Sequence, residues 1–216
     1  MGIAKATRMC YTYKNALTKE KTVAKLYFKY GAMGSSKTAN ALITKFNYEE
    51  RGMKVWLIKP SIDVRDGADV VRSRIGLQAN ADVITPDKNL FEEYQNHSYC
   101  DVIIADECQF FLPEQIDQLR KIVDELDVPV LCYGLRTDFR THLFEGSRRL
   151  FETADSIQEI KTICTCGKKA IVNARIDWAG NVVTKGGQIL IGGNDSYVAM
   201  CHSCWQKAIQ KQKNKQ

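Results

Sequence analysis

The 216-residue sequence predicts an α/β protein: a parallel sheet flanked by helices, joined to a smaller cysteine-rich module. Three observations predict it. Short apolar runs alternate with stretches of helical periodicity, the pattern of a sheet covered on both faces. A Gly/Ser turn links the first such run to the first helical stretch. After about Ile160 the long helical stretches stop, and paired cysteines, glycines and short β-prone segments take over.

The elements follow in order. Residues 1–23 are rich in Lys and Thr without sustained periodicity and read as a basic arm. Residues 24–30 alternate and are aromatic, a strand signature. A turn at residues 31–36 opens a helix over residues 37–51, where Ala39, Leu42, Ile43 and Phe46 recur at helical spacing and Gly52 stops it. Val55-Trp56-Leu57-Ile58 is a buried strand ended by Lys59-Pro60. Residues 63–81, rich in Arg and Asp, predict an exposed loop or short helix, residues 82–85 a strand, and residues 87–95 a helix opened by Asp87. Residues 101–107 form an apolar strand ending in two acids. An amphipathic helix spans residues 113–126, with Pro113 in its first turn and Ile116, Leu119, Ile122, Val123 and Leu126 facing inward. Val130-Leu131-Cys132-Tyr133 is the next strand. The organisation expected is a basic arm (1–23), a nucleotide-binding α/β domain (24–160), a metal-binding module (161–206) and a basic tail (207–216).

Composition narrows the function classes. Hydrophobic residues make up 44% and charged residues 26%, ordinary for a folded domain. No stretch approaches the ~20 apolar residues of a membrane span, and the N-terminus carries no secretory pattern. A soluble cytoplasmic protein is expected. The net charge of +6 resides in the two tails: residues 1–29 hold seven Lys/Arg against one Glu, residues 207–216 add four Lys, and the body between is acidic. A nucleic-acid groove needs clustered cations on a folded face, and the body offers none. Eight cysteines without an export signal suit a reducing compartment, where metal binding is favoured over disulfides.

Gly31-Ala32-Met33-Gly34-Ser35-Ser36-Lys37-Thr38 joins a strand to a helix, the context a phosphate-binding loop requires. Backbone N–H groups and the helix N-terminus point at the phosphates. Lys37 reaches the β- and γ-phosphates, and the Thr38 hydroxyl ligates Mg²⁺. Ser36 replaces the second glycine of the usual pattern, and a serine fits there if its φ is negative. Asp106, ending a second apolar strand, is placed to organise Mg²⁺, with Glu107 beside it able to accept a proton. These features make the fold a RecA-like phosphate-loop sheet. Cys164-Thr165-Cys166 and Cys201-His202-Ser203-Cys204, with 34 residues between the pairs, suit a structural four-thiolate Zn²⁺ site. His202 replacing one thiolate, or buried free thiols, are the alternatives. Arg65, in a charged loop just past a strand end, fits either a solvent-facing role or neutralisation of transferred phosphate. Phe110, Phe111, Phe139 and Phe144 fit either core or an apolar acceptor pocket.

The phosphate loop, Asp106-Glu107-Cys108-Gln109-Phe110-Phe111, Gly134-Leu135-Arg136-Thr137-Asp138-Phe139 and Ile191-Gly192-Gly193-Asn194-Asp195-Ser196-Tyr197 stand in the order of one family's motifs. Over about residues 24–206 the chain resembles the type II thymidine kinases, the zinc-containing class of many bacteria and of animal cytosol. The resemblance implies transfer of the ATP γ-phosphoryl to the 5′-hydroxyl of thymidine, giving dTMP and ADP. Glu107 then matches the catalytic base and Arg65 the arginine at the transferred phosphoryl, with Gln109 alongside Asp106 in the ATP-binding set. Met33, Phe110, Leu135, Phe139 and Phe144 match the walls of the base pocket. A Gly-rich lasso between the zinc-ligand pairs, about residues 186–197, matches the segment gripping thymine, through Gln188, Ile189, Leu190, Ile191, Gly192 and Tyr197. A homotetramer inhibited by dTTP is implied as well. The chain departs from the family at Ser36, and at Cys108, where Gly or Ala is frequent. The competing reading is a zinc-containing P-loop ATPase driven by nucleic acid, which ATP turnover responding to single-stranded DNA instead of thymidine distinguishes.

Overall fold

The computed structural model describes residues 23–64, 67, 69–189 and 196–214. The basic arm apart from Val23, Arg65, and Leu190, Ile191 and Gly192 of the lasso lie outside the described residues. Strand β1 (Leu26–Tyr30) leads into helix α1 (Lys37–Glu49), followed by β2 (Val55–Pro60), β3 (Val70–Arg72), β4 (Gln78–Asn80), β5 (Asp82–Ile84) and α2 (Leu90–Asn96). Then come β6 (Val102–Ala105), a 3₁₀ turn (Cys108–Phe110), α3 (Pro113–Leu126), β7 (Val130–Gly134), α4 (Glu145–Thr153) and β8 (Ser156–Glu159). A second group comprises β9 (Thr162–Ile163), β10 (Lys169–Ala170), β11 (Val172–Arg175), β12 (Tyr197–Met200) and α5 (His202–Lys213).

Six strands form one sheet in the order β5-β2-β6-β7-β1-β8, and every pairing is parallel. The strand pleat sorts its apolar residues onto two faces. Ile103 and Ala105 of β6 join Leu26, Phe28, Val130 and Cys132 against Ile116, Leu119, Ile122 and Val123 of α3 and Leu150 of α4. Val102 and Ile104 join Leu57, Leu131 and Tyr133 against Ala41 and Leu42 of α1. Each fully buried Leu or Ile contributes roughly 1.5–3 kcal/mol, so the two faces hold the sheet from both sides. The order also puts β1 and β6 on either side of β7, with their carboxyl ends at one edge, where ligands bind in open α/β sheets.

Helix α3 has the bounds its pattern predicts, but Leu126 in its last turn is 37% exposed, beyond the sheet. On α1 the face turned inward carries Ala39, Ala41 and Leu42; Ile43 and Phe46 stand exposed on the flank. Residues 63–81 differ more. They contain the antiparallel hairpin β3–β4, whose alternation is hidden by short strands and frequent charges. Helix α2 starts at Leu90 and not near Asp87, because the Asn89 side chain accepts the Phe91 and Glu92 N–H groups and caps it. Among the described residues no helix is long and apolar enough to cross a membrane.

Candidate active site and metal centre

The loop after β1 is folded by close contact. A Cβ on Gly31 would stand 2.3 Å from Ser35 Oγ and 2.4 Å from the Ile160 carbonyl, so no side chain fits there. Ser36 takes φ +61° as the residue before α1, so the serine is accommodated in the left-handed region and not at negative φ. The backbone makes this left-handed turn into α1 with serine in place of glycine. A left-handed Ser costs about 1–2 kcal/mol, and the greater unfolded entropy of Gly offsets roughly 0.5–1 kcal/mol of any relief. Ser36→Gly is therefore expected to raise stability by about 0.5–1 kcal/mol in a denaturant melt, with turnover retained. Lys37, 7% exposed, turns its ammonium into the loop, donating to the Ala32 carbonyl at 3.0 Å and to Ser35 Oγ at 3.5 Å.

Asp106 lies just past β6 and is 3% exposed. Burial pushes its carboxyl up to about 7 and the adjacent Glu107 adds to the rise, while the Thr38 hydroxyl and the Lys37 ammonium pull it down. Thr38 and Asp106 thus hold two oxygen donors together beside the phosphate loop, a set that suits a hard divalent cation.

Glu107 is 8% exposed and sits at φ +50°, a conformation a non-glycine residue keeps only when its surroundings impose it. Gln109 supplies part of that frame. Its Nε2 donates to Glu107 Oε2 at 2.5 Å, and its Oε1 accepts the Leu135 N–H at 2.9 Å. The amide of Gln109 is therefore spent on aiming Glu107 and tying it to the end of β7. Close packing at Gly134 leaves room for this. A Cβ there would lie 2.6 Å from Cys108 Sγ and 2.7 Å from Gln109 Oε1, so the larger residue at 108 is housed against a glycine.

These groups open on one cavity of about 230 Å³. Met33, Gly34, Ser36, Lys37, Thr38, Asp106 and Glu107 line it. So do Phe110, Leu135, Phe139, Phe144, Gln188, Ile189 and Tyr197. Phe110 and Phe144 meet edge-on at 5.5 Å, whereas Phe111 is buried in the core beneath α3. The phosphate loop, Glu107 and the apolar wall therefore share one chamber.

Several residues of the chamber were given no role from the sequence, Asp138 among them although it stands in one of the quoted motifs. Asn173 in β11 is 2% exposed; its Oδ1 accepts the Met33 N–H at 2.8 Å and its Nδ2 donates to the Thr137 carbonyl at 2.7 Å. One amide thereby joins the phosphate loop, the loop after β7 and the second module. Asp138, also buried, accepts the backbone N–H groups of Arg140 and His142 and the Gln188 amide. Arg72, Ser73, Arg74 and Ile75 of the β3–β4 hairpin line the cavity too, from a stretch that reads as loop in the sequence. An Asn and an Arg interrupting the short β-prone run Val172-Asn173-Ala174-Arg175 were the available hint.

The sulfurs of Cys164, Cys166, Cys201 and Cys204 all lie within 4.8 Å of one another, and Cys166 Sγ is 3.6 Å from Cys201 Sγ. Tetrahedral thiolates about 2.3 Å from a Zn²⁺ ion stand at similar separations. Local backbone shapes the site. Gly167, at φ +83°, closes a turn onto the Cys164 carbonyl, and Cys201 caps α5 by accepting the Cys204 N–H at 3.4 Å. The N–H groups of Cys166 and Cys201 bring the Cys164 thiol down to about 6, and the Cys204 N–H lowers Cys201. The other three sulfurs push Cys204 up to about 12, the cost of crowding thiolates that a divalent cation removes. The donor set can hold a metal ion and, with four protein ligands, leaves no position open for chemistry.

A strand–loop–helix phosphate cradle, a cation-suited Thr/Asp pair and a buried carboxylate facing an apolar pocket define a nucleotide-dependent phosphotransferase. Comparison with known proteins resolves the class further. A family model described as thymidine kinase matches residues 24–205, and the chain belongs to the thymidine kinase family. It is 46% identical over 194 residues to a thymidine kinase of Vibrio vulnificus (strain YJ016), covering 88% of this chain and 100% of that protein. A thymidine kinase of Shewanella oneidensis is 45% identical over 192 residues, covering 87% and 99%. One of Escherichia coli O157:H7 is 44% identical over 193 residues, covering 87% and 93%. These relationships do not favour the nucleic-acid-driven ATPase.

Proposed function

We propose that this chain phosphorylates thymidine at its 5′-hydroxyl with ATP in the chamber described above. The observation that carries the reading is the setting of Glu107: buried, held by Gln109 at 2.5 Å, and lining the same cavity as the phosphate loop and the aromatic residues. The thymine ring lies among Met33, Phe110, Leu135, Phe139 and Phe144, with Gln188, Ile189 and Tyr197 across it, and Leu190, Ile191 and Gly192 are assigned to it on the resemblance alone. That places the 5′-hydroxyl toward Glu107. The carboxylate accepts the hydroxyl proton as the oxygen bonds to the γ-phosphorus and the bond to the ADP oxygen breaks, giving dTMP and ADP. Lys37 turns from the Ala32 carbonyl to the phosphates, and the loop N–H groups bind their oxygens. Thr38 and Asp106 are the residues to hold Mg²⁺, which supplies charge neutralisation on the phosphates when bound. Arg65, outside the described residues, is assigned the developing phosphoryl charge on the resemblance alone.

Zinc at the four cysteines is assigned a structural role. Inhibition by dTTP, assembly as a homotetramer, a cytoplasmic location and independence from nucleic acid complete the reading. So does the division into arm, nucleotide domain, metal module and tail. The deciding experiment follows ADP release from MgATP with and without thymidine, with deoxycytidine and single-stranded DNA as controls. Stimulation by thymidine, with dTMP formed one-for-one with ADP, is expected. Turnover driven by DNA and indifferent to thymidine overturns the reading.

A further inference from the structure

Arg175 ends β11, opposite Tyr197 in the antiparallel pairing with β12. Only 7% of it is exposed, and among the described residues no carboxylate pairs with it. Its charge is met in another way. The guanidinium carbon stands 3.8 Å from the centroid of the Phe139 ring and 5.2 Å from that of Tyr197. Nε and Nη2 donate to the Tyr197 hydroxyl at 2.9 and 2.6 Å. Nη1 donates to the Gly187 carbonyl at 3.0 Å and Nη2 to the Gln188 carbonyl at 3.2 Å.

One cation therefore stacks on an aromatic wall supplied by the α/β body and fastens two stretches of the second module, residues 187–188 and Tyr197. A buried guanidinium without its full set of acceptors is costly, so the stretches it binds are held as firmly as they hold it. Gln188 and Tyr197 line the same cavity as Phe139. We propose that Arg175 is a positioning residue for the nucleoside: it fixes Gln188 and Tyr197 around Phe139 before thymidine binds, and so sets thymidine affinity while leaving the phosphate chemistry alone. The inference rests on thymidine occupying this cavity. Preorganisation of this kind lowers the ordering cost of binding. Lysine cannot replace the group, since an ammonium has no planar fork to stack on Phe139 while donating to three acceptors at its edge.

The test compares Arg175→Met and Arg175→Lys with the unmodified full-length protein in steady-state kinetics, with zinc content and thermal melting as checks of folding. Both variants are expected to raise the thymidine KM roughly 10- to 100-fold. The ATP KM and kcat are expected to stay within about threefold. Should Arg175→Met fail to fold, Arg175→Lys, which keeps the charge and most of the stem, carries the test. Unchanged thymidine KM in the folded variants overturns the proposal, and so does a uniform loss in kcat and both KM values, which marks a merely structural residue. Phe110→Ala run alongside separates the two levels. A thymidine KM unmoved by Phe110→Ala removes thymidine from the cavity and the proposal with it. A KM raised by Phe110→Ala but not by either Arg175 variant overturns the role of Arg175 alone.

Discussion

Glu107→Gln is expected to lower kcat by about 10²–10⁴-fold while ATP and thymidine still bind, because it removes the proton acceptor and nearly preserves shape. The site makes this a clean substitution. Glu107 occupies a left-handed backbone position fixed by its neighbours, and its carboxylate is held at 2.5 Å by the Gln109 amide, itself anchored at the Leu135 N–H. A glutamine at 107 rotates its amide to offer an oxygen to Gln109, so the frame persists and the loss falls on the chemical step. Steady-state turnover together with equilibrium binding of a nonhydrolysable ATP analogue separates the terms. A kcat reduced less than tenfold removes Glu107 from the role of base. Weakened binding of both substrates at unchanged kcat shows that the residue only shapes the cavity.

Removing a metal held by the four cysteines, as proposed, is expected to cost more. The second module has little apolar interior of its own: Val172, Ala174, Val182 and Trp205 form one small cluster, and Cys164, Ala170 and Cys201 another. Units this small rarely fold without a staple. Structural zinc supplies roughly 10–16 kcal/mol of apparent binding free energy in zinc-finger peptides, and that energy becomes folding energy. Chelation, or Cys201→Ser, is therefore expected to unfold the module and abolish thymidine-dependent turnover, since Gln188, Tyr197 and Arg175 all depend on it. The sheet keeps separate cores on both faces, so MgATP binding to the loop before α1 survives, weakened by loss of the Asn173 bond to Met33. Metal analysis per chain, far-ultraviolet circular dichroism and the two binding assays check this. An apo protein with native thymidine affinity refutes the structural role of the metal.

Much of this was legible in the sequence because the relevant information is local. A phosphate loop is eight consecutive residues whose backbone does the binding, and Gly31 through Thr38 announce it. The buried strands announce themselves by apolar runs too short for helices, and α3 by its period, to the residue. The four cysteines stand in two pairs whose spacing already implies one site. Errors fell where local signals were weak or were outvoted. The β3–β4 hairpin is three residues a side and charged; the α2 start was decided by the Asn89 side chain and not by Asp87; Ile43 and Phe46 had helical spacing but the wrong flank.

By itself the sequence determined the sheet, the phosphate loop, the acid pair after β6 and the two cysteine pairs that meet in one cluster, because each is a property of a contiguous stretch or a fixed spacing. Only the tertiary structure decided how these parts bear on one another. Gln109 reaches across to Leu135, Asn173 spans 140 residues to the Met33 N–H, and Arg175 stacks on Phe139. Each is a buried polar group whose partner is chosen by packing between distant segments. The physical reason is that burial obliges such groups to find partners, while sequence spacing carries no record of which partner the fold brings near.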